Sequence, residues 1–563
     1  MSGLDVKAML VEVETLLGLA GPLPPEAESA IEKLLNGIEL LTADRMELTQ
    51  EVQRLRELLE RKKQLKNAGD ESSEPCAVPT NPTDHSSEKR RRALRKKQRR
   101  SLDRRSFKEV PIHEIIACPV DPATLPPDAV RGTAESVVVQ DIRIEPHNIC
   151  FQVETWYSPS EKKVFRGTLP SGYDQGDFGA NLRALILSMK YCGNMSERKI
   201  GEFLENFNVQ VSAGSLSNIL TGTAAAFERE YHDVLVAGLS STPYQQTDDT
   251  SARVAGQAWH THILCNPFYT FYSTRSGKDR LSVLAVLQNR ESPSFRFNAR
   301  TLELLRQEFS IPQKWQQWLS NFVGGCGGDV ELDATLTRGL LDGVFGDRCV
   351  QTRTAIEHAA AIIAYRQQTR VPVIQVLVCD DAGQFKLLTD HVALCWIHDG
   401  RHYERLSPVV PRHQQAWDGF LDRYWDYYRR LQDYRGSPSP SQAEALREEF
   451  DQLFSTRTGY DALDKRISMT LGKREELLTV LKHPSAPLHN NVSELGARVS
   501  ARRRDVSLHS RSVHGARAMD IFTTLVQTCR KQSQSAYAYF RAHLRRSTEA
   551  PSLATLIQSA ASV

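Results

Sequence analysis

Apolar residues near the start of the chain recur at intervals of three and four. They begin at Ile31 and end at Leu59, and Arg45 is a polar residue on the same line. Four heptads of this kind predict a coiled coil, so residues 1–65 are interpreted as a region of self-association. The alternative is a single helix that packs on its own domain. The apolar positions are Ile31, Leu34, Ile38, Leu41, Leu48, Val52, Leu55 and Leu59.

Residues 109–172 have a different pattern, in which apolar and polar residues alternate. The stretches "ESVVVQDIRI" and "ICFQVETWY" have the period of two that is typical of strands. We therefore expect a small β-rich module here. Cys118 lacks further cysteine or histidine ligands at a useful spacing, so a zinc site is not expected in this module.

Residues 178–230 return to helical spacing. Ser196 and Ser212 are suited to cap two of these helices, and the turn "FNVQV" lies between them. The order helix, turn, helix predicts a helix-turn-helix DNA-binding domain over residues 173–240. Its second helix carries Ser215, Ser217 and Asn218 as candidate DNA contacts. An ordinary helical bundle is the alternative.

Beyond Pro243 the pattern changes to strands and then to longer helices. "YQQTDDT", "QAWHTHILC" and "PFYTFYSTR" are strand-like, and a helix is expected to begin near Lys278. "PVIQVLVCDD" is a continuous apolar run, typical of a strand buried on both faces of a mixed sheet. Helical insertions are expected at about 286–370 and 411–488, followed by a final helix from Val492. Residues 241–540 are thus interpreted as one α/β core, and residues 541–563 as a C-terminal tail.

The composition is that of a globular protein with several domains. Of its 563 residues, 40% are hydrophobic and 25% are charged, and no apolar run is long enough to cross a membrane. The N-terminal residues are acidic where a secretory signal would be basic. The ten cysteines include no CxxC pair, which indicates a reducing, intracellular setting. We expect a cytoplasmic protein associated with the nucleoid of a bacterial host.

The net charge of +3 conceals a strongly basic segment. Residues 66–108 are a polar linker followed by "KRRRALRKKQRRSLDRR". The basic side chains of this run are expected to neutralise the phosphates of DNA. Such a run binds DNA without reading its sequence; a solvated linker or a targeting tag is the alternative. The residues singled out for DNA contact are Lys89, Arg90, Arg91, Arg92, Arg95, Lys96, Lys97, Arg99 and Arg100.

Three carboxylates stand where strands end or a helix begins. Asp248 and Asp380 each close an apolar strand, and Glu494 opens a helix after Asn490 and Asn491. Because strand ends meet at one edge of a sheet, the fold can bring these distant residues together. Carboxylate oxygens suit Mg²⁺ or Mn²⁺, and two such ions would stabilise the attacking and leaving oxygens of a phosphodiester. The alternative for the first aspartate is a solvated turn.

Five segments resemble, in the same order, motifs of the insertion-sequence-66 family of DDE transposases. They are "TDDTSARV", "STRSGKD", "VCDDAGQF", "CWIHDGRHYERL" and "HNNVSELGARVSARRR". The resemblance covers most of the chain and implies a ribonuclease-H-like catalytic core. In that core Asp248, Asp380 and Glu494 would be the catalytic, metal-binding triad. The coiled coil and the helix-turn-helix stand where the family has them.

The resemblance implies a DNA transposase that binds transposon ends and catalyses metal-dependent strand cleavage and strand transfer. Its partners would be the terminal inverted repeats, the target DNA and further copies of the chain. One alternative is a domesticated, non-catalytic DNA-binding protein, which should have lost a carboxylate. Another is a ribonuclease-H-fold nuclease acting on other DNA structures, which would not need the N-terminal DNA-binding segments.

The chain departs from the family beside two of the triad positions. Asp249 stands where the family has Glu, and Asp381 stands where it usually has Gly, so each site offers two carboxylates. Successive residues of a strand point to opposite faces, which favours the first member of each pair as the metal ligand. Asp249 and Asp381 are then supporting residues, as are Asn490 and Asn491.

Two further groups flank the triad. Cys395 and His398 match the family's Cys-x-x-His segment and are expected to have a structural or supporting role. Zinc is not expected there, because it would need two further ligands, for which Cys379 and His402 are the candidates. Arg498 lies one turn after Glu494 and is suited to pair with it or with a phosphate, unless it belongs to a solvated face. Arg502, Arg503 and Arg504 are expected to contact DNA.

Overall fold

The structure is a computed structural model that describes residues 6–19, 23–67, 111–121, 124–126, 128–130, 132, 136–174, 176–346, 348–547 and 552–562. The chain divides into two compact units, one of Met1–Arg45 with Asn148–Val563 and one of Met46–His147. The predicted basic run at residues 89–105 lies outside the described residues. Among the described helices, none has both the length and the apolar character needed to span a bilayer.

Two N-terminal helices, α1 (Val6–Leu19) and α2 (Pro25–Asn67), begin the fold. In the larger unit, Leu10 of α1 and Leu35 of α2 are buried against Val410, at the start of a helix that begins at Pro411. The carboxylate of Glu39 accepts hydrogen bonds from the amides of Val409 and Val410. Glu39 thus satisfies amides at a helix N-terminus that would otherwise lack partners.

The predicted coiled-coil positions divide into two groups. Ile31 and Ile38 pack on the cluster around Val410, so this part of α2 packs on its own chain, as in the local-helix alternative. The remaining six positions are between 47% and 69% exposed. They are Leu34, Leu41, Leu48, Val52, Leu55 and Leu59.

The expected β-rich module is reduced to one hairpin among the described residues. Strands β1 (Thr155–Ser158) and β2 (Lys163–Arg166) pair antiparallel. The described residues between 111 and 154 contain no strand, and Val137, Val139 and Ile142 are about four-fifths exposed. Alternation predicts a strand only where a second strand and a packing surface are present. The described part of this segment provides neither.

Between the hairpin and the main sheet, the described residues form four further α-helices: α3 (Ala180–Tyr191), α4 (Glu197–Glu205), α5 (Ala213–Gly222) and α6 (Glu228–Ser240). The predicted caps are confirmed, since Ser196 Oγ accepts from the amide of Lys199 and Ser212 Oγ from that of Ser215. A short 3₁₀ turn, Thr223–Phe227, joins α5 to α6. Leu204, Leu216 and further apolar residues of these helices belong to the main core.

The main sheet has three antiparallel strands, β3 (Tyr244–Val254), β4 (Gln257–Cys265) and β5 (Thr270–Arg275). Strand β8 (Val376–Cys379) lies parallel to β3, and β9 (His391–Leu394) lies parallel to β8. The order is therefore β5–β4–β3–β8–β9. Leu377 faces the main core and Val378 faces a second cluster with Ala486, so the prediction of a strand buried on both faces is confirmed.

The remaining elements lie between the strands and after them. Between β5 and β8 lie α7 (Arg280–Leu287), β6 (Phe295–Asn298), α8 (Ala299–Glu308), α9 (Gln313–Gly325), β7 (Asp329–Leu332), α10 (Ala334–Phe345) and α11 (Val350–Arg366). Helix α7 begins near Lys278, as predicted. After β9 come α12 (Trp396–Glu404), α13 (Pro411–Gly436), α14 (Pro440–Phe454), α15 (Asp461–Leu471), α16 (Arg474–Leu477) and α17 (Thr479–Lys482).

Four helices complete the chain: α18 (Asn491–Ser507), α19 (Val513–Lys531), α20 (Ala536–Leu544) and α21 (Leu553–Ala561). The helix expected to be the last is thus followed by three more. The segment expected to be a C-terminal tail is also part of the fold, because Leu553 and Ile557 of α21 are fully buried and α21 packs on α6. The sequence does not reveal this, since the surface that covers α21 lies over three hundred residues earlier.

Candidate active site

Two of the predicted carboxylates lie side by side on neighbouring strands. Asp248 is in β3 and Asp380 directly follows β8. The parallel register pairs Gln246 with Val378, so each aspartate stands two residues beyond a paired position. Adjacent parallel strands place such residues at the same edge of the sheet. The register therefore accounts for the approach of two residues that are far apart in sequence.

Helix α18 brings Glu494 to the same edge. The side-chain amide of Asn490 donates to the carbonyl of Thr247 at 2.6 Å, and Ser493 Oγ donates to the same carbonyl at 3.3 Å. Thr247 immediately precedes Asp248, so the first turn of α18 is fixed beside it. Asn491 is the first residue of that turn.

Close packing between α18 and the sheet depends on a glycine. A Cβ atom at Gly496 would lie 2.9 Å from Ile263 Cγ2. Ile263 is paired with Asp248 across β3 and β4, and paired residues of an antiparallel sheet share a face. Gly496 therefore lets α18 approach the face on which Asp248 lies.

The carboxylates affect one another's ionisation. Burial raises the pKa of Asp248, the hydrogen bond from the amide of Asp249 lowers it, and the charges of Asp380, Asp249 and Glu494 raise it, so that it is about 7. Burial also raises the pKa of Asp380, and the amide of Ala382 partly offsets this. A group of partly buried carboxylates with too few donors has the electrostatics of a cation site.

The second aspartate of each pair has other partners. Asp381 Oδ2 lies 2.5 Å from Lys473 Nζ, and Lys386 Nζ lies 3.5 Å from Asp381 Oδ1. Burial alone would raise the pKa of Asp381, but the hydrogen bond and charge of Lys473 outweigh it and lower that pKa. Asp249 accepts a hydrogen bond from Gln384 at 2.9 Å. Asp248 and Asp380 have no lysine or arginine ion pair of this kind among the described residues.

Cys395 and His398 lie against Glu494. One ligand atom from each of these three residues lies within 4.8 Å of the others, and the residues that the structure describes contain no second group of this kind. Asp248 and Asp380 are outside this group. His398 Nδ1 lies 3.7 Å from Glu494 Oε1, and both atoms are buried without a hydrogen-bond partner.

Hydrogen bonds around this group indicate its protonation. The main-chain amides of Ile397, His398 and Asn490 donate to Cys395 Sγ, although burial still raises the pKa of that thiol. Arg401 Nη1 lies 3.2 Å from His398 Nε2. Because a guanidinium only donates, Nε2 must accept, and the hydrogen of a neutral ring is then on Nδ1, facing Glu494. A zinc ligand at Nδ1 would need the opposite tautomer. Cys379 and His402, the other zinc candidates, are outside the group.

The candidate DNA contacts are distributed unevenly. Ser215 and Ser217 are half-buried on α5 and Asn218 is exposed. Arg498 and Arg502 are exposed on α18, and Arg498 has no ion pair with Glu494 in the structure.

Two further arginines of α18 have contacts within the fold. Arg504 donates to Thr250 Oγ1 at 3.2 Å and to the carbonyl of Ser251. Arg503 differs from the expectation of an exposed arginine, because it is only 8% exposed and donates to Thr523 Oγ1. Helical spacing alone turns one of three successive arginines inward.

Sequence reasoning missed several residues that contact the predicted ones. Arg401 Nη2 lies 3.5 Å from Glu494 Oε2. Its position three residues after His398, on the same helical face, was a usable signal. Lys473 and Gln384 gave no signal, because each reaches its aspartate only through the tertiary fold.

Comparison with known proteins defines the class to which this chain belongs. The sequence profile of the IS66 transposase family matches residues 353–518, a region that includes Asp380 and Glu494 but begins after Asp248. The uncharacterized protein y4jO of Sinorhizobium fredii (strain NBRC 101917 / NGR234) is 31% identical over 325 residues. These residues are 54% of this chain and 93% of that protein. The chain belongs to the IS66 family of transposases.

Proposed function

We propose that the protein is a DNA transposase that binds the ends of its element, cleaves DNA strands there and transfers them to target DNA. Asp248, Asp380 and Glu494 form its catalytic site. The observation that carries the proposal is the meeting of these three carboxylates at one sheet edge, where their charges raise the pKa of Asp248. Membership of the family supplies the reaction class.

The donor set fits hard divalent cations. The three residues offer only carboxylate oxygens, and Glu494 Oε1 is buried without a hydrogen-bond partner, as expected of an oxygen that needs a cation. Asp248, Asp380 and Glu494 would hold Mg²⁺ or Mn²⁺, as two ions. When bound, the ions neutralise charge on the reacting phosphate and favour ionisation of the attacking hydroxyl.

The neighbouring residues orient this site. Asn490 and Ser493 fix the start of α18 to β3 through the Thr247 carbonyl. Arg401 and the Nδ1 side of His398 face the two oxygens of Glu494, so they orient its carboxylate. Asp381 forms ion pairs with Lys473 and Lys386. Of the two neighbouring aspartates, Asp380 is therefore the metal ligand. Cys395 supports the junction of α12 and α18.

The rest of the chain is assigned by the same proposal. Residues 241–540 form the ribonuclease-H-like core, for which the mixed sheet and its order are supporting features. Residues 173–240 form the helix-turn-helix, with the α4–turn–α5 arrangement as support. The basic run of residues 66–108 binds DNA of any sequence. For residues 109–172 the supporting feature is the β1–β2 hairpin.

Self-association through α2 is part of the proposal. The apolar positions Leu48, Val52 and Leu55 are about half or more exposed, and a second copy of α2 would cover them. Replacing Leu48 and Leu55 by Lys should give a monomer, since each buried leucine is worth roughly 1.5–3 kcal/mol. Light scattering at micromolar concentration without DNA measures this. A monomeric wild-type chain would contradict it.

The decisive experiment measures cleavage and binding separately. The DNA carries the inverted repeats that flank the gene. Asp248→Asn, Asp380→Asn and Glu494→Gln keep the side-chain shape but remove the charge, so each should lower Mg²⁺-dependent cleavage by on the order of 10²–10³-fold or more. Binding of the same DNA in EDTA should be unchanged.

Asp381→Asn is the matched control, because it removes a carboxylate at the neighbouring position that is paired with lysine. It should retain cleavage within roughly tenfold, a loss of about 1.4 kcal/mol. Loss of cleavage in Asp381→Asn but not in Asp380→Asn would reverse the assignment of ligands. A wild-type protein that binds these ends but never cleaves them would be a domesticated DNA-binding protein. Equal cleavage of DNA without the repeats would indicate a nuclease.

A further inference from the structure

A groove of about 530 Å³ lies between helices α3–α5, the end of β3 and the junction of α18 and α19. We call it the basic groove. Its basic residues are Lys190, Arg198, Arg253, Arg503, Arg504 and Arg511, and its carboxylates are Glu197 and Asp520. Both oxygens of Asp520 already accept hydrogen bonds from Thr274. The positive charge is therefore in excess, and an anion is the complementary ligand.

Arg503 is the unusual residue of the basic groove. Its side chain is 8% exposed. One nitrogen, Nη1, donates to Thr523 Oγ1 and contacts Met519 Sδ. The other two, Nε and Nη2, are buried without a partner. A buried guanidinium with two unused donors is costly, and an anion close to its charge lowers that cost.

Two further features favour an anion at this position. Lys190 lines the same groove: burial lowers its pKa, the nearby charge of Glu197 raises it, and the charge of Arg503 lowers it. An anion that lies close to both cations lowers the repulsion between them. The N-terminus of α19 also lines the groove, where Ser512 caps the amide of Gly515 and the first turn has no acidic residue. The dipole of this 19-residue helix adds positive potential.

We propose that the basic groove binds the phosphodiester backbone of a DNA strand, with the phosphates lying against its exposed rim at Arg253 and with the buried charge of Arg503 adding positive potential from the wall of the groove. This proposal rests on the proposed function for the identity of the polymer, and adds where the strand lies. Arg503 and Glu494 belong to one helix and are nine residues apart (503 − 494 = 9). At 1.5 Å per residue, Arg503 lies about 13.5 Å along the helix from Glu494, so one strand can reach both.

The experiment measures the salt dependence of DNA binding by the full chain. A random-sequence duplex is titrated in EDTA by fluorescence anisotropy at several salt concentrations. Each lost phosphate contact should lower the slope of log K against log salt by about 0.9. Arg503→Met removes a positive charge from the wall of the groove and should lower the slope. Arg183→Met is the matched control, because Arg183 is 7% exposed but donates to Thr223 and does not line the groove. Its slope should equal that of the wild type.

A second pair of variants, one in the groove and one outside it, tests the proposal if Arg503→Met fails to fold. Arg253→Gln lies on the exposed rim of the groove and should also lose about 0.9 of slope. Arg338→Gln on α10 is also exposed but lies outside the groove, and should lose none. Unchanged slopes in the groove variants would overturn the proposal.

A titration with inorganic phosphate distinguishes a groove that binds the phosphates of DNA from one that binds free phosphate. It should raise the unfolding midpoint of the wild type more than chloride of equal ionic strength, and this extra rise should disappear in Arg503→Met. If phosphate stabilises the wild type while the DNA slopes stay unchanged, the groove takes free phosphate and the DNA assignment is wrong. Because no metal or cleavage is involved, an inactive catalytic site does not affect any of these outcomes.

Discussion

The two ends of α18 have opposite chemistry. Its first turn carries Glu494, beside Asp248 and Asp380, and its last turns carry Arg503 and Arg504. Acidic groups near a helix N-terminus and basic groups near its C-terminus are each worth about 0.3–1 kcal/mol. The interaction with the helix dipole does not replace hydrogen bonds at either end, because Glu494 Oε1 and Arg503 Nε are both buried without a hydrogen-bond partner. Under the two proposals made above, each end lies near a ligand of opposite charge, a cation at one and a phosphate at the other.

The largest expected effect comes from removing charge at the acidic end. The pKa of Asp248 is about 7 in the folded chain against a usual value of 3.8. The folded state therefore holds a proton that the unfolded state loses, and stability falls as pH rises from about 4 to about 7. Asp248→Asn avoids this loss. At roughly pH 8 in EDTA it should be about 2–4 kcal/mol more stable than the wild type, since one pKa unit is worth about 1.4 kcal/mol.

Chemical denaturation at about pH 8 and about pH 4 measures the difference, which should disappear at the lower pH. Mg²⁺ provides the control. It should stabilise the wild type by about 1.4 kcal/mol at ten times its dissociation constant, and the Asn variant by much less. If the difference in stability between the variant and the wild type is the same at both pH values, the fold does not raise the pKa of Asp248.

A smaller effect is expected between the two ends. Arg498 is exposed on α18, one turn after Glu494. Arg498→Gln should change the free energy of unfolding by less than about 0.5 kcal/mol. A strand that runs from the basic groove to the carboxylates would pass Arg498, so the salt slope of DNA binding should fall by about 0.9. Arg498→Lys should preserve the slope. An unchanged slope in the Gln variant would mean that the strand leaves the helix before reaching Glu494.

The sequence predicts local features of the candidate site well. Asp380 follows a continuous apolar run, and such a run is recognisable because both of its faces must be buried. Ser196 and Ser212 cap helices through contacts only three residues away. The approach of Asp248 to Asp380 follows from adjacent strand ends. A short stretch of chain determines the apolar strand and the two caps, whereas the approach of the two aspartates also needs β3 and β8 to be neighbours.

Contacts between distant residues are not predictable in this way. Arg503 stands between two similar arginines, and only the packing of α18 on α19 shows that it faces inward. Lys473 belongs to an insertion, and nothing near it in sequence indicates a partner at Asp381. The alternation around Val137 and Val139 predicts strands, but a strand needs a neighbour, and the period of two does not say whether one exists.

The capping of α13 by Glu39 has a consequence for synthesis of the chain. Glu39 and the amides of Val409 and Val410 are separated by 370 and 371 residues. At about 5–20 residues per second, a ribosome needs about 20–70 s to make the second partner after the first. During that interval α1 and α2 exist without the surface that covers Leu10 and Leu35. When neighbouring ribosomes translate one messenger, the same surface on an earlier copy would be the alternative, and exchange of the N-terminal helices between copies would then compete with docking in the same chain.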